Sequence, residues 1–196
     1  MTWVLHSPSQ RPRWQLSQAL IWQLQGPPPA LRQQARQLLR EILVDTLGTA
    51  NDTMAVDFTA GQAPRVNERW QGHPVAISIS YADDRAWVAL CPGQRLGLDV
   101  CTVASLPDWQ TVARLYLGPS TAQQLAALST DTRDTAFAQA WAELEARGKC
   151  LGLGLQEWTP ALQLALYTPS IRCDSWLIRP ASSGPSYAVA VALAPA

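Results

Sequence analysis

Trp141, Glu145 and Lys149 follow one another at steps of four, so on a helix they share one stripe, with Gly152 just beyond it. From spacing alone, the acid and the base also fit a solvated Glu–Lys pair in its favourable order, contributing about 0.3–0.5 kcal/mol. The lysine carries more weight because it stands alone: the 15 basic residues divide into fourteen arginines and Lys149. A site that needs a compact, strongly hydrated point charge, such as a phosphate contact, selects lysine over the planar guanidinium. Asp99 lies in Gly97-Leu98-Asp99-Val100, an acid between apolar neighbours near a strand end. Alone, such an acid is a cap or a turn residue; beside a second carboxylate it makes a magnesium site, and Glu145 is the candidate second ligand. Gly152-Leu153-Gly154 reads either as a helix stop or as a gap that admits a ligand closely.

The elements that must position these groups follow from apolar spacing. Leu31, Ala35, Leu38, Leu39, Ile42 and Leu43 predict a first helix over 30–47, after the Pro-rich stretch 26–29 and closed by Gly48. A polar stretch, 49–72, is long enough to be a functional loop and holds Arg65 and Arg69. Runs at 75–81, 85–90 and 95–100 predict three adjacent antiparallel strands. Helices are expected over 109–117, 120–128 with Ser120 as cap, and 132–151. Apolar patches at 162–166, 176–178 and 187–193 predict three more strands. A helix followed by a small antiparallel sheet thus occurs twice. The fold class expected is α+β, two similar α/β halves in a pseudo-twofold arrangement, residues 1–100 and 101–196, with the site at the seam.

Composition narrows the chemistry. With 196 residues, 47% hydrophobic and 15% charged, the chain has the means to bury a large core and is not a disordered tail. A formal net charge of zero removes the broad basic footprint of a nucleic-acid binder. No apolar run approaches the roughly 20 residues of a membrane span, and the first residues lack a signal-peptide core, so a soluble cytoplasmic protein is expected; a monomer is the expected state. The four cysteines form no C-x-x-C pair and the two histidines complete no zinc cluster, so the thiols are expected reduced. No nucleophilic triad, P-loop or dinucleotide fingerprint is present.

Taken together, Gly97-Leu98-Asp99-Val100-Cys101 and Trp141-Ala142-Glu143-Leu144-Glu145, continued by Lys149, Gly152 and Gly154, resemble the motifs of the 4′-phosphopantetheinyl transferases, in the larger pseudo-dimeric branch. Ser78-Ile79-Ser80-Tyr81 and Gln62-Ala63-Pro64-Arg65 look like two further family segments, and the likeness spans roughly residues 30–155. Four positions depart from the pattern: Cys101 stands for an acid, Tyr81 for a histidine, Ala63 for a basic residue and Leu144 for a lysine.

The resemblance implies transfer of 4′-phosphopantetheine from coenzyme A to a serine of an acyl or peptidyl carrier protein, with 3′,5′-ADP released. It implies Mg2+ held by Asp99 and Glu145, Glu145 as proton acceptor and Lys149 on the phosphates. Arg36, Arg65, Ser80, Tyr81, Lys149 and Gly152 are the implied coenzyme A contacts, Arg36 on the 3′-phosphate. The implied partner is an acidic helical carrier protein, for which the neutral chain offers no obvious basic face. Most of the nine tryptophans, Trp70, Trp87 and Trp109 among them, are expected to be structural, with one or two lending apolar contact near the site. The four departures keep a second reading open, a relative of that fold without transfer activity that binds or scaffolds.

Overall fold

The computed structural model describes residues 3–48, 56–59, 64–179 and 184–196. Two strands, β1 (Trp3–His6) and β2 (Ala19–Gln25), lead into helix α1 (Pro28–Leu47). Short strands β3 (Val56–Asp57), β4 (Arg65–Val66) and β5 (Arg69–Trp70) precede the long ones, β6 (His73–Ala82), β7 (Arg85–Pro92) and β8 (Gln94–Thr102). The second part holds α2 (Trp109–Val112), which runs on as a π-helical turn over Ala113–Leu117, then α3 (Pro119–Ala126) and α4 (Thr130–Leu151). Helix α5 (Pro160–Leu166) and strands β9 (Arg172–Ile178) and β10 (Tyr187–Pro195) end the chain. The class is α+β. Among the described residues no helix is long and apolar enough to cross a membrane.

A mixed five-stranded sheet, ordered β1-β2-β7-β6-β5 with β1 and β2 parallel, faces a three-stranded antiparallel sheet, β8-β10-β9. Side chains alternate faces along a strand, and here that alternation builds the layers. On β7, Ala86, Val88 and Leu90 pack toward α1, while Trp87, Ala89 and Cys91 fill the space between the sheets. On β10, Tyr187, Val189, Val191 and Leu193 join that inner layer. Its other face is all alanine, and Ala188, Ala190, Ala192 and Ala194 meet Ala138, Ala142, Ala146 and Cys150, the four-residue stripe of α4. The order is therefore helix, sheet, sheet, helix. Small residues on both sides bring α4 close to the second sheet.

Gly97 carries this closeness furthest. A Cβ there would overlap the Ala146 carbonyl oxygen and stand 2.5 Å from the Cys150 amide nitrogen, so α4 rests on the bare backbone of β8. The two sheets are also tied at their edges. Ser78 Oγ accepts from the Leu98 amide at 2.9 Å and Ser80 Oγ from the Val100 amide at 3.2 Å, so hydroxyls of β6 satisfy amides of β8. At the opposite edge Trp3 of β1 stacks on Trp176 of β9, ring centroids 3.9 Å apart.

Several expectations need correction. Runs 75–81 and 85–90 do pair as β6 and β7, but 95–100 does not continue that sheet: β8 pairs with β10. The reason is vacancy, since β7 already has β6 on one edge and β2 on the other. The patch 162–166 is helix α5, not a strand, with Pro160 in its first turn and Thr159 Oγ1 accepting from the Leu162 amide at 3.0 Å. Ser120 does not cap α3; Gly118 is the cap and Pro119 opens the helix. Helix α4 starts at Thr130, two residues earlier than expected. Within the polar stretch, residues 49–55 and 60–63, Ala63 among them, lie outside the described residues.

The Gly97 contact yields a direct test. Gly97→Ala must push α4 off β8 and is expected to cost about 1–3 kcal/mol, read as a lower urea midpoint. A wild-type midpoint would contradict the contact.

Candidate functional site

The close seat of α4 fixes where its polar face lands. With Ala146 and Cys150 buried on the sheet, Glu145 and Lys149 come to the seam where β6 meets β8. Asp99 faces the same way, because Leu96, Leu98 and Val100 of β8 point into the inner layer and the residues between them point toward α4. Lys149 Nζ donates to Asp99 Oδ1 at 2.6 Å, to the Leu98 carbonyl at 3.2 Å and to Ser80 Oγ at 3.5 Å. Ser80 Oγ also donates to Asp99 Oδ1, at 2.8 Å. Asp99 is only 6% exposed, so its charge depends on these two donors. It sits inside a strand as neither cap nor turn.

Glu145 stands one turn before Lys149 yet makes no ion pair with it among the described residues; the lysine is spent on Asp99. Burial pushes the Glu145 carboxyl up from the usual carboxylate range, the Asp99 charge pushes it further, and Lys149 pulls the other way. Glu145 and Lys149 line a cleft of about 340 Å³, and Asp99, bonded to Lys149, is buried off its wall. Arg65, Gly152, Leu153 and Gly154 line that cleft with Glu145 and Lys149. Gly152 ends α4 in the left-handed region, φ 72°, and a Cβ at Gly152 or Gly154 would meet nothing within 4 Å. The missing side chains keep the cleft wide.

Glu145, Lys149, Arg65 and Gly152 are thus brought together on the cleft wall, while Asp99 and Ser80 are buried against Lys149 and are not on that wall. Tyr81 and Arg36 are placed elsewhere. Tyr81 follows Ser80 in the strand and so faces the α1 layer, with the Arg32 guanidinium 5.0 Å above its ring. Burial raises its hydroxyl pKa, against the pull of Arg32 and Arg36. Arg36 and Arg40 both lie over Phe58, at 4.7 and 5.5 Å. With Arg32 they form a row at steps of four along an open depression of about 670 Å³. Trp141, first of the stripe, is an anchor between Tyr116 and Phe137. Trp87 is fully buried between the sheets, and Arg133 covers Trp109.

Arg32 and Arg40 escaped the sequence reading, and Ser78 entered it only as part of a motif segment, with no role of its own. Their signals were available: two serines at period two in an otherwise apolar strand, and arginines spaced i, i+4, i+8 on the polar face of α1.

Among the described residues no group of three or more His, Cys, Asp or Glu side chains is placed to hold a metal ion. The two carboxylates nevertheless suit a hard divalent cation that takes its other oxygens from water and from a phosphate substrate. Asp99 Oδ2 and the Glu145 carboxylate accept no hydrogen bond among the described residues, and their mutual repulsion is what a cation between them would relieve. Cys101 adds nothing to such a set. Burial first, then Asp99 and Asp83, push its thiol up to about 12, so it stays protonated. No known protein-family model and no curated protein matches the chain.

The raised Glu145 carboxyl has a sign that stability reads. The folded state keeps this proton to higher pH than the unfolded chain, so ionised Glu145 opposes folding; the penalty is absent below the ordinary value of 4.5 and grows as pH rises through the raised one. Glu145→Gln is therefore expected to match wild type in urea unfolding at about pH 4 and to exceed it at about pH 8. Equal stability at both would contradict the burial of this carboxyl.

Proposed function

We propose that the chain transfers 4′-phosphopantetheine from coenzyme A to a serine hydroxyl of an acyl or peptidyl carrier protein, releasing 3′,5′-ADP. The observation that carries this reading is the Asp99–Lys149 contact of 2.6 Å with Glu145 one helical turn away, Glu145 and Lys149 both lining an open cleft. These are the residues on which the motif resemblance rests. In the reaction the serine oxygen bonds to the β-phosphorus of coenzyme A, the bond from that phosphorus to the 3′,5′-ADP oxygen breaks, and the serine proton passes to Glu145. Asp99 and Glu145 would hold Mg2+, which supplies charge neutralisation at the pyrophosphate. Lys149 and Arg65 bind and orient the same phosphates from the cleft wall. Arg36, flanked by Arg32 and Arg40, meets the 3′-phosphate, and the aromatic rings beneath these guanidiniums hold them in place.

The reading takes the chain as two similar halves, residues 1–100 and 101–196, with the site at their seam, although β8 crosses that boundary and pairs with β10 in the second sheet. That a helix packs on a sheet twice, α1 on the first and α4 on the second, supports it. The protein then acts in the cytoplasm as a monomer. A second reading, a relative without transfer activity that binds or scaffolds, draws support from Cys101, a protonated thiol, and from Leu144, which is buried in an apolar cluster.

Fluorescent coenzyme A, Mg2+ and a panel of carrier proteins separate the two. Transfer predicts a labelled serine, and Glu145→Gln is expected to slow labelling about 10²–10⁴-fold with the fold intact by circular dichroism. An unlabelled panel, together with a Tm that coenzyme A leaves unchanged, would overturn it, since a ligand at about 100 times its Kd adds about 2.7 kcal/mol.

A further inference from the structure

A carboxylate 6% exposed in a strand needs a positive partner, and in this chain the partner is an ammonium group, with Oδ1 of Asp99 accepting from Lys149 at 2.6 Å. The other lysine contacts, to the Leu98 carbonyl and to Ser80 Oγ, are longer at 3.2 and 3.5 Å. Asp99 therefore fixes the lysine head. A divalent cation on the same carboxylate would sit about 2.0–2.1 Å from its oxygen, close enough for strong like-charge repulsion against the ammonium. We infer that Lys149 is the resident counter-ion of Asp99 and gives up that oxygen when a divalent cation binds, its ammonium moving out of the seam into the cleft. The inference rests on the two-carboxylate cation reading above and adds an order of events to it: cation first, lysine free for phosphate second.

The surroundings allow this movement and little else. Ala146 and Cys150 pin α4 to the sheet on either side of Lys149, so the helix stays and the side chain moves. Lys149 is in the last turn, its side chain 30% exposed, beside Gly152, where an added Cβ would meet nothing. A single charge on a four-carbon stem makes such a swing, whereas an arginine would hold its carboxylate through a planar fork and leave it less readily.

Because Lys149 is the only lysine, supplying 13C-lysine during growth gives one side-chain signal without assignment. Adding MgCl2 to the full chain is expected to move the Lys149 Cε signal along a saturating curve, and Asp99→Asn is expected to abolish the change. Free Mn2+, counted by its electron paramagnetic resonance, is expected to show Lys149→Met binding Mn2+ about tenfold more tightly than wild type. Mn2+ binding with an unmoved lysine signal, or Lys149→Met binding no tighter, would overturn the inference while leaving the cation site standing. If neither protein binds Mn2+, the two-carboxylate reading falls and takes the inference with it. Lys149→Met keeps the test open should Asp99→Asn fail to fold.

Discussion

A helix can touch the backbone of a strand only where both have almost no side chain, and that constraint organises this molecule. Alanines at every second place on β10 meet alanines and a cysteine at every fourth place on α4, and Gly97 removes the last obstacle on β8. Two periodicities, two and nearly four, thus mesh along one line. The result is a helix without freedom to slide. Its polar face is fixed to the seam between the sheets, and a lysine stem suffices to reach a carboxylate in the neighbouring strand.

The seam itself is built from hydroxyls. Where β6 passes β8, Ser78 and Ser80 satisfy the amides of Leu98 and Val100, and Ser80 also donates to Asp99. A buried acid is costly unless fully partnered, and breaking such a pair costs more than never forming it. Each donor to Asp99 therefore offsets a desolvation cost that an apolar side chain in the same strand would not incur. The same burial that raises the Glu145 carboxyl keeps Cys101 a neutral thiol, so one environment tunes both groups in the same direction.

Much of this was legible in the sequence. The apolar stripe of α1, the long α4, the pairing of β6 with β7 and the nearness of Asp99, Glu145 and Lys149 all follow from periodicity or from motif order. Long-range pairing was not legible. Strand β2, Ala-Leu-Ile-Trp-Gln-Leu-Gln, is buried on both faces, so it lacks the alternation that announces a strand, and overlooking it left an edge of β7 falsely free for β8. The run at 162–166 is too short for its period to decide between helix and strand; Thr159 and Pro160 decided it. Spacing likewise put Glu145 and Lys149 on one stripe but could not say that the lysine would turn to Asp99. Tyr81 and Ser80 were grouped by motif, although adjacent strand residues face opposite ways, and the fold separates them accordingly.

The central claim is that these few groups at the seam form a cation-assisted phosphate site for coenzyme A. Calorimetric addition of coenzyme A to the folded chain, with and without Mg2+, tests it most directly. The account predicts saturable binding that strengthens with Mg2+, and loss of that dependence in Asp99→Ala. Binding heats that are absent, or identical in both buffers and in the variant, would contradict it.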